Sequence, residues 1–415
     1  MTRTEHHAGH LDIPPNGGWA SQPIPATSAQ WVHRAREVAE ILAADAAARE
    51  KAGNTPYSEI ALLKDSGLVT LLGPADQGGG GQEWPTAYLV IREVAAGDGS
   101  IGQLLGYHYL WNWAGRLVGT PEQIAYIEAQ AVRNRWFFGG AVNPRDADVV
   151  IRDEGEHLVF NGRKSFSTGS KVSDVTVLEG VLEGTDTHVF AIVPSDHPGL
   201  AFHDDWDNIG QRLTESGSVS ISDVRVDWSG AAGFVDKEFR PRIYNTLNVP
   251  TIQLVFINFY LGIARGALEQ AADYTRTRTR PWLHGGHDRA VDEPYILDTY
   301  GDLAAKLWAV EALADRVAEE ALPLHRNPDA VTERARGEHE VRVAALKARA
   351  TDVALEITSR IFEVTGARST TAALGLDRHW RNIRTHTLHD PVAYKRREVG
   401  VFLLRDEIPE PTWYS

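Results

Sequence analysis

The sequence predicts an α+β protein, mostly α, with a β domain inserted between two helical ones. Three observations carry this. Apolar residues recur at three- and four-residue steps from about residue 28 to 133, and again from Phe239 to the end, the spacing of amphipathic helices. Between about Trp136 and Trp228 the period drops to two, as strands require. The run LVFINFYLGIARGAL, residues 254–268, is nearly apolar all round, as befits a helix enclosed by others. The divisions are a polar tail over 1–27, a helical domain over 28–133, a β domain (barrel or sandwich) over 134–232 and a helical bundle with its tail over 233–415.

In chain order, MTRTEHHAGHLDIPPNGGWA lacks the apolar centre of a signal peptide, so a cytoplasmic location is expected. His6, His7 and His10 read as part of a polar tail and not as a metal site. Val38, Ile41 and Leu42 mark the first helix. GLVTLLGPADQGGGGQEWP is a loop, and its four glycines, Gly78 to Gly81, are not a phosphate loop, because no Lys-Ser/Thr pair follows. A helix through Tyr88, Val90, Ile91 and Val94 comes next, then IGQLLGYHYLWNWAGRL, where aromatic residues flank His108 as they often flank a core histidine. EHLVF-NG-RKSFSTGS reads as a hairpin, with Asn161-Gly162 as its tight turn. VTVLEGVL, HVFAIVP and VSISDVRV read as strands. Leu307, Val310, Leu313 and Val317 mark a later helix. Leu346, Val353, Ile357, Ile361 and Val364 mark another, which should stop at Gly366.

Composition narrows the chemistry. The chain has no cysteine, which removes disulfides, thiolate metal sites and cysteine nucleophiles. A formal net charge of −14 argues against nucleic acid, whose phosphates need a basic footprint. No run of 18 apolar residues spans a membrane. The arginines are nevertheless clustered, at Arg276, Arg278 and Arg280 and at Arg378, Arg381 and Arg384, a pattern suited to a small phosphorylated ligand. In Arg360–Lys395, Arg368, Arg378, Arg381 and Arg384, and then His386 and His389, follow a helix end. They read either as an anion site beside an acid/base residue or as a solvated basic face with core histidines.

Five segments carry a resemblance over nearly the whole chain: GLVTLLGPADQGGGG with REVAAGDGS, NGRKSFSTGSKVSD, YTRTRTRPW and FEVTGAR. In this order they resemble the acyl-CoA dehydrogenase fold, implying an N-terminal helical domain, a central β-barrel and a C-terminal four-helix bundle. Dehydrogenases of this family place a glutamate base near the C-terminus. Here that place reads Leu388-His389-Asp390-Pro391, and Asn248–Thr251, the alternative position, also lacks a glutamate. An imidazole does not replace a desolvated carboxylate. GYH at His108, WDNIGQRLTESGS at Trp206 and RNIRTHTLHDPVAYK at His389 resemble instead the two-component flavin-dependent monooxygenases of this fold, the dibenzothiophene monooxygenase group.

That resemblance implies reduced FMN and O₂ as co-substrates, a C4a-hydroperoxyflavin, and oxygenation of a planar aromatic or heteroaromatic molecule, by S-oxidation or indole-type hydroxylation. It implies Arg280 and Arg368, with the backbone of Gly366 and Ala367, at the flavin phosphate, and Phe166, Thr168 and Trp206 at the ring. His389 and His108 would handle the proton, and Asp390 either orients an imidazole or caps a turn. The substrate pocket would involve Gly140, Trp111, Trp113 and Tyr107, with glycine where the resembling group has asparagine. No G-x-G-x-x-G follows a strand, so electrons are expected from a separate NAD(P)H:flavin reductase. The arginine of YTRTRTRPW implies a homo-oligomer, a tetramer. No metal, nucleic acid or membrane is expected. An acyl-CoA dehydrogenase or oxidase with FAD, and an amine N-hydroxylase, are the alternatives.

Overall fold

The structure, a computed structural model, describes residues 18, 19, 22–143 and 148–412; His6, His7 and His10 lie outside them. Among the described residues six α-helices come first: α1 (Ser28–Ala43), α2 (Ala46–Ala52), α3 (Tyr57–Asp65), α4 (Trp84–Gly97), α5 (Gly99–Val118) and α6 (Pro121–Asn134). Local chemistry sets their ends. Thr27 and Thr120 form capping boxes with Gln30 and Gln123. Asp98 separates α4 from α5 by accepting hydrogen bonds from the Ser100 and Ile101 amides at 2.9 and 3.2 Å.

The strands follow as β1 (Phe138–Ala141), β2 (Val149–Asp153), β3 (His157–Lys164), β4 (Val175–Leu182), β5 (His188–Pro194), β6 (Leu200–Phe202) and β7 (Val219–Asp227), then the small pair β8 (Phe234–Val235) and β9 (Glu238–Phe239). The first seven form one sheet. β4 is its hub: β1 runs parallel to its first half, β2 to its far end, and β5 antiparallel along its other edge. β3 joins β2 to β7, and β6 closes on β7. The expected barrel takes the form of a curled sheet, with β5 and β6 at its edges. Ile151, Leu158, Phe160, Leu178 and Val189 fill its concave core.

The expected Asn161-Gly162 turn is not a turn. Both residues lie inside β3, where the register shifts between Phe160 and Gly162, a β-bulge. Gly162 has φ of +147°, and a Cβ there would stand 2.0 Å from the Asp148 carbonyl oxygen. Asn161 turns its side-chain oxygen to the Asp223 amide at 2.9 Å. Cross-strand partners therefore hold the dipeptide extended. The reversal between β2 and β3 falls at Gly155, φ +86°. SFSTGS likewise is not a strand; it is the turn leaving β3.

The last helices are α7 (Asn248–Thr277), α8 (Pro294–Arg326), α9 (Glu333–Thr365), α10 (Asp377–His386) and α11 (Val392–Arg405). α9 packs against α7, α8 and α11, and α7 also packs against α4 and α5. The span Ile243–Thr277 is long and apolar enough to cross a membrane, yet 89% of its most apolar window is buried inside the protein. It is the axis of the fold. Leu346, Val353, Ile357, Ile361 and Val364 of α9 are all buried, and Gly366 ends that helix at φ 76°.

Candidate active site

The turn between α10 and α11 delivers His389 and Asp390 onto α7. Asp390 Oδ2 accepts from Gln253 Nε2 at 2.6 Å and faces His389 Nδ1 at 3.1 Å. Burial pushes the Asp390 carboxyl up, but His389, Lys347 and Gln253 outweigh it and hold the group ionised, well below the usual carboxylate range. Asp390 thus engages Nδ1 of an imidazole. It leaves Nε2 of a half-exposed ring available to a bound molecule.

Around His389 the walls are aromatic. Its ring lies 5.0 Å from Phe256 and is parallel to His386, 5.5 Å away at 6°. Tyr107 stacks on Phe256 at 5.7 Å and meets Trp111 edge-on at 6.3 Å. α5 contributes Tyr107 and Trp111 at i, i+4, hence on one face; α7 contributes Phe256. Burial holds the Tyr107 phenol far above its ordinary pKa, so it stays protonated.

His108 sits elsewhere. Its ring is fully buried, Nε2 contacts the Val69 carbonyl at 2.8 Å, and Nδ1 accepts from the Phe138 amide at 3.0 Å. It stacks on Phe137 at 4.9 Å. Burial lowers its pKa to about 4. With both nitrogens engaged by backbone, His108 joins α5 to β1 and has neither ring nitrogen free for a proton-handling role in this structure. Trp113 sits in the core, between Trp84 at 5.5 Å and His325 at 5.3 Å.

Gly140 and Trp111 form a single unit. A Cβ on Gly140 would stand 2.3 Å from Trp111 Cε2 and 2.6 Å from its Nε1, so the indole occupies the space that the missing side chain leaves. Gly140→Ala should therefore force the buried indole aside and cost about 1–3 kcal/mol. A urea-unfolding midpoint equal to that of the parent would contradict this.

The ring-contact candidates lie at the end of the sheet. Phe166, 68% exposed at φ 56°, meets Trp206 edge-on at 6.1 Å. Trp206 Nε1 donates to the Gln211 carbonyl at 2.8 Å. Thr168 and Ser216 hydroxyls pair at 2.8 Å. Phe166, Gln211 and Glu215 all have positive φ without being glycine, a local strain that functional sites often hold. Buried Ser167 Oγ and both side-chain atoms of the Gln211 amide have no hydrogen-bond partner among the described residues. The Gln211 backbone N–H donates to Asn382 Oδ1 of α10 at 2.7 Å, which ties this turn to the helix bearing His386.

A second feature is a groove of about 430 Å³ at the far ends of α7 and α9, lined by residues including Arg280, Trp282, Tyr295 and Gly366. Arg280, Ala367 and Arg368 are exposed, and among the described residues neither arginine has an ion-pair or hydrogen-bond partner. Phe166, Thr168 and Trp206 are not in its lining. Two other arginines expected at an anion site are occupied. Arg378 donates to the Gly375 carbonyl at 2.9 Å, and Arg381 pairs with Glu50 and with Asp377. Sequence reasoning missed Gln253, Phe256, Tyr260 and Lys347; the first three lie in or beside the apolar α7 run, whose buried pattern hides their role.

Residues 27–132 match the family of the acyl-CoA dehydrogenase N-terminal domain, and residues 254–393 that of the acyl-CoA dehydrogenase C-terminal domain. The chain is 41% identical over 381 residues to a dibenzothiophene monooxygenase of Mycolicibacterium goodii, covering 88% of this chain and 92% of the relative. Methanesulfinate monooxygenase MsuC from Pseudomonas fluorescens superposes with a TM-score of 0.89 at 39% identity, over 92% of this chain and 99% of that one. TdsC from Paenibacillus sp. A11-2, solved as a complex with FMN and indole, superposes at 0.88 and 39% identity, over 93% and 100%. The chain belongs to the acyl-CoA dehydrogenase family, within the group that includes the dibenzothiophene monooxygenases.

Proposed function

We propose that this protein is a two-component monooxygenase that uses reduced FMN and O₂ to insert one oxygen atom into a planar aromatic or heteroaromatic substrate. The observation that carries it is the His389–Asp390–Gln253 arrangement against Phe256 and Tyr107. At the place where a dehydrogenase needs a carboxylate base, the chain offers an imidazole, and its own carboxylate is committed to orienting that imidazole.

The residues fit FMN. Unpartnered Arg280 and Arg368 suit a phosphate through charge-assisted hydrogen bonds, and the unsatisfied Ser167 and Gln211 polar atoms, with Thr168, suit the heteroatom edge of a flavin. Phe166 and Trp206 would cover its ring. When bound, reduced FMN supplies the electrons that activate O₂. The chain's own part is to hold phosphate and ring, keep water from the aromatic pocket, and hold one proton at His389 Nε2. Tyr107, Trp111 and Phe256 favour a flat apolar substrate.

Because the arginine groove and the ring-contact turn share no lining residue, one subunit's arginines would complete another subunit's flavin site, in a tetramer. A separate NAD(P)H:flavin reductase would deliver the cofactor, in the cytoplasm. The reading is tested by supplying the protein with a generic flavin reductase, NADH and ¹⁸O₂ over a panel of thiophenes, indoles and sulfinates. Absence of ¹⁸O in every product would overturn it. His389→Ala should keep FMN affinity while product formation falls about 10²-fold, with hydrogen peroxide released instead; unchanged coupling would remove His389 from the chemistry.

A further inference from the structure

Behind His389 runs a line of buried polar groups that the oxygenase reading leaves unused. Lys347, midway along α9, is completely buried, its Nζ 4.7 Å from the ring centroids of both Phe256 and Tyr260. It donates to the Tyr260 hydroxyl at 3.2 Å. The Tyr260 hydroxyl is 2.7 Å from His386 Nδ1, and His386 Nε2 is 3.1 Å from the Tyr107 hydroxyl. The line thus crosses from α9 through α7 and α10 to the aromatic wall on α5.

Donor and acceptor inventories give it a direction. An ammonium only donates, so the Tyr260 oxygen accepts from Lys347 and its single hydrogen goes to His386 Nδ1. Burial, with His389 and Lys347 adding to it, holds His386 well below its ordinary pKa, so the ring is neutral and carries one hydrogen. With Nδ1 accepting, that hydrogen is on Nε2 and points at the Tyr107 oxygen. The Tyr107 hydrogen is left for an acceptor outside the chain.

We propose that this line is a proton relay, with Tyr107 as its outlet and Lys347 as its source, acting through Tyr260 and His386. The proposal rests on the oxygenase reading, in which one atom of O₂ must leave as water and so needs protons. The step balances. The Tyr107 proton passes to an oxygen atom that has become basic in the site, and His386 Nε2 reprotonates Tyr107. Tyr260 then protonates His386 Nδ1, and Lys347 reprotonates Tyr260. One proton leaves, no electron moves, and Lys347 passes from ammonium to amine. Every bond afterwards runs in the reverse sense, His386 now bearing its hydrogen on Nδ1 and Tyr260 donating to the amine.

The surroundings of Lys347 allow that change of state. Burial between Phe256 and Tyr260 lowers its pKa to about 7, with Asp390 opposing and Lys395 adding. The other titratable or charged groups in or facing the line are Tyr260, His386, Tyr107, His389, Asp390 and Arg384. Lys395 is itself paired with Glu340 at 2.9 Å and with Glu398. His386 is a positioning residue here, and its tautomer reports the state of the line.

The test uses the protein without flavin. ¹⁵N spectra of the His386 ring should show hydrogen on Nε2 at pH 6 and on Nδ1 at pH 9, with a midpoint near the Lys347 value of about 7. In Lys347→Met the switch should vanish. With reductase and substrate, that variant should release at least about tenfold more peroxide per product, with a flatter pH profile. Should Lys347→Met fail to fold, Tyr260→Phe cuts the same line and should also abolish the switch. One His386 tautomer from pH 6 to 9 in the parent protein, or the same switch in the variants, would overturn the relay. A switch present in a protein that makes no oxygenated product would instead overturn the oxygenase reading.

Discussion

Replacing both Arg280 and Arg368 with alanine should weaken FMN binding by about 10²–10⁴-fold, since each charge-assisted hydrogen bond to a phosphate contributes about 1.5–3 kcal/mol. Both side chains are exposed and without protein partners among the described residues, so the flavin-free protein should unfold at the parent temperature. Each single variant should lose about half of the effect in free energy. FMN fluorescence titration reads the affinity, and its salt dependence should flatten as charges are removed. An affinity within a factor of two of the parent would show that the phosphate lies elsewhere. If the arginines serve a neighbouring subunit's flavin, mixing this double variant with one disabled at the ring-contact turn should restore a fraction of intact sites. A site built from one subunit would not complement in this way.

The second large effect is structural and lies under the turn that leaves β3. Lys164, the last residue of β3, places its Nζ 2.9 Å from Glu179 Oε2, and neither side chain has any exposure. Glu179 Oε1 also meets His188 Nδ1 at 2.6 Å, and the Lys164 ammonium donates to the Asn143 carbonyl at 3.2 Å. Glu179→Ala removes a carboxylate shared by the buried Lys164 ammonium and His188, a change that costs up to about 3–5 kcal/mol. The urea midpoint should drop at unchanged slope. Replacing both partners with apolar residues of similar size, Lys164→Met with Glu179→Leu, should recover most of that loss. Because Phe166 and Thr168 follow Lys164 within one turn, the single variant should also weaken FMN binding near its folding limit. A midpoint unmoved in Glu179→Ala would mean that the pair carries no stability.

Much of the architecture could be read along the chain. Periodicity found the strands VTVLEGVL, HVFAIVP and VSISDVRV, which are β4, β5 and β7, and it found the helix that ends at Gly366. The apolar run at residues 254–268 announced the central helix. These are local properties: the face a residue shows, the cap it makes and the turn it permits follow from its near neighbours. Proximity in the groove was legible for Arg280 and Gly366 too, through the motifs that carry them.

Elsewhere, partners distant along the chain decided the outcome. Asn161-Gly162 has the composition of a turn, but the Asp148 carbonyl and the Asp223 amide made it a bulge. His108 and His389 look alike on paper, each among aromatic or basic neighbours. One spends both nitrogens on the backbone of Val69 and Phe138, whereas the other keeps a nitrogen free. Trp111 and Trp113, two residues apart, face opposite sides of α5: the first fills the space over Gly140, the second joins the core. Lys347 carries no motif, and burial between two aromatic rings, which lowers its pKa, is visible only in the tertiary structure. The sequence by itself determined the order of helices and strands, because that depends on spacing along the chain. The tertiary structure alone decided which imidazole, indole or lysine meets solvent, backbone or another ring, because desolvation and hydrogen-bond partners come from segments far apart in number.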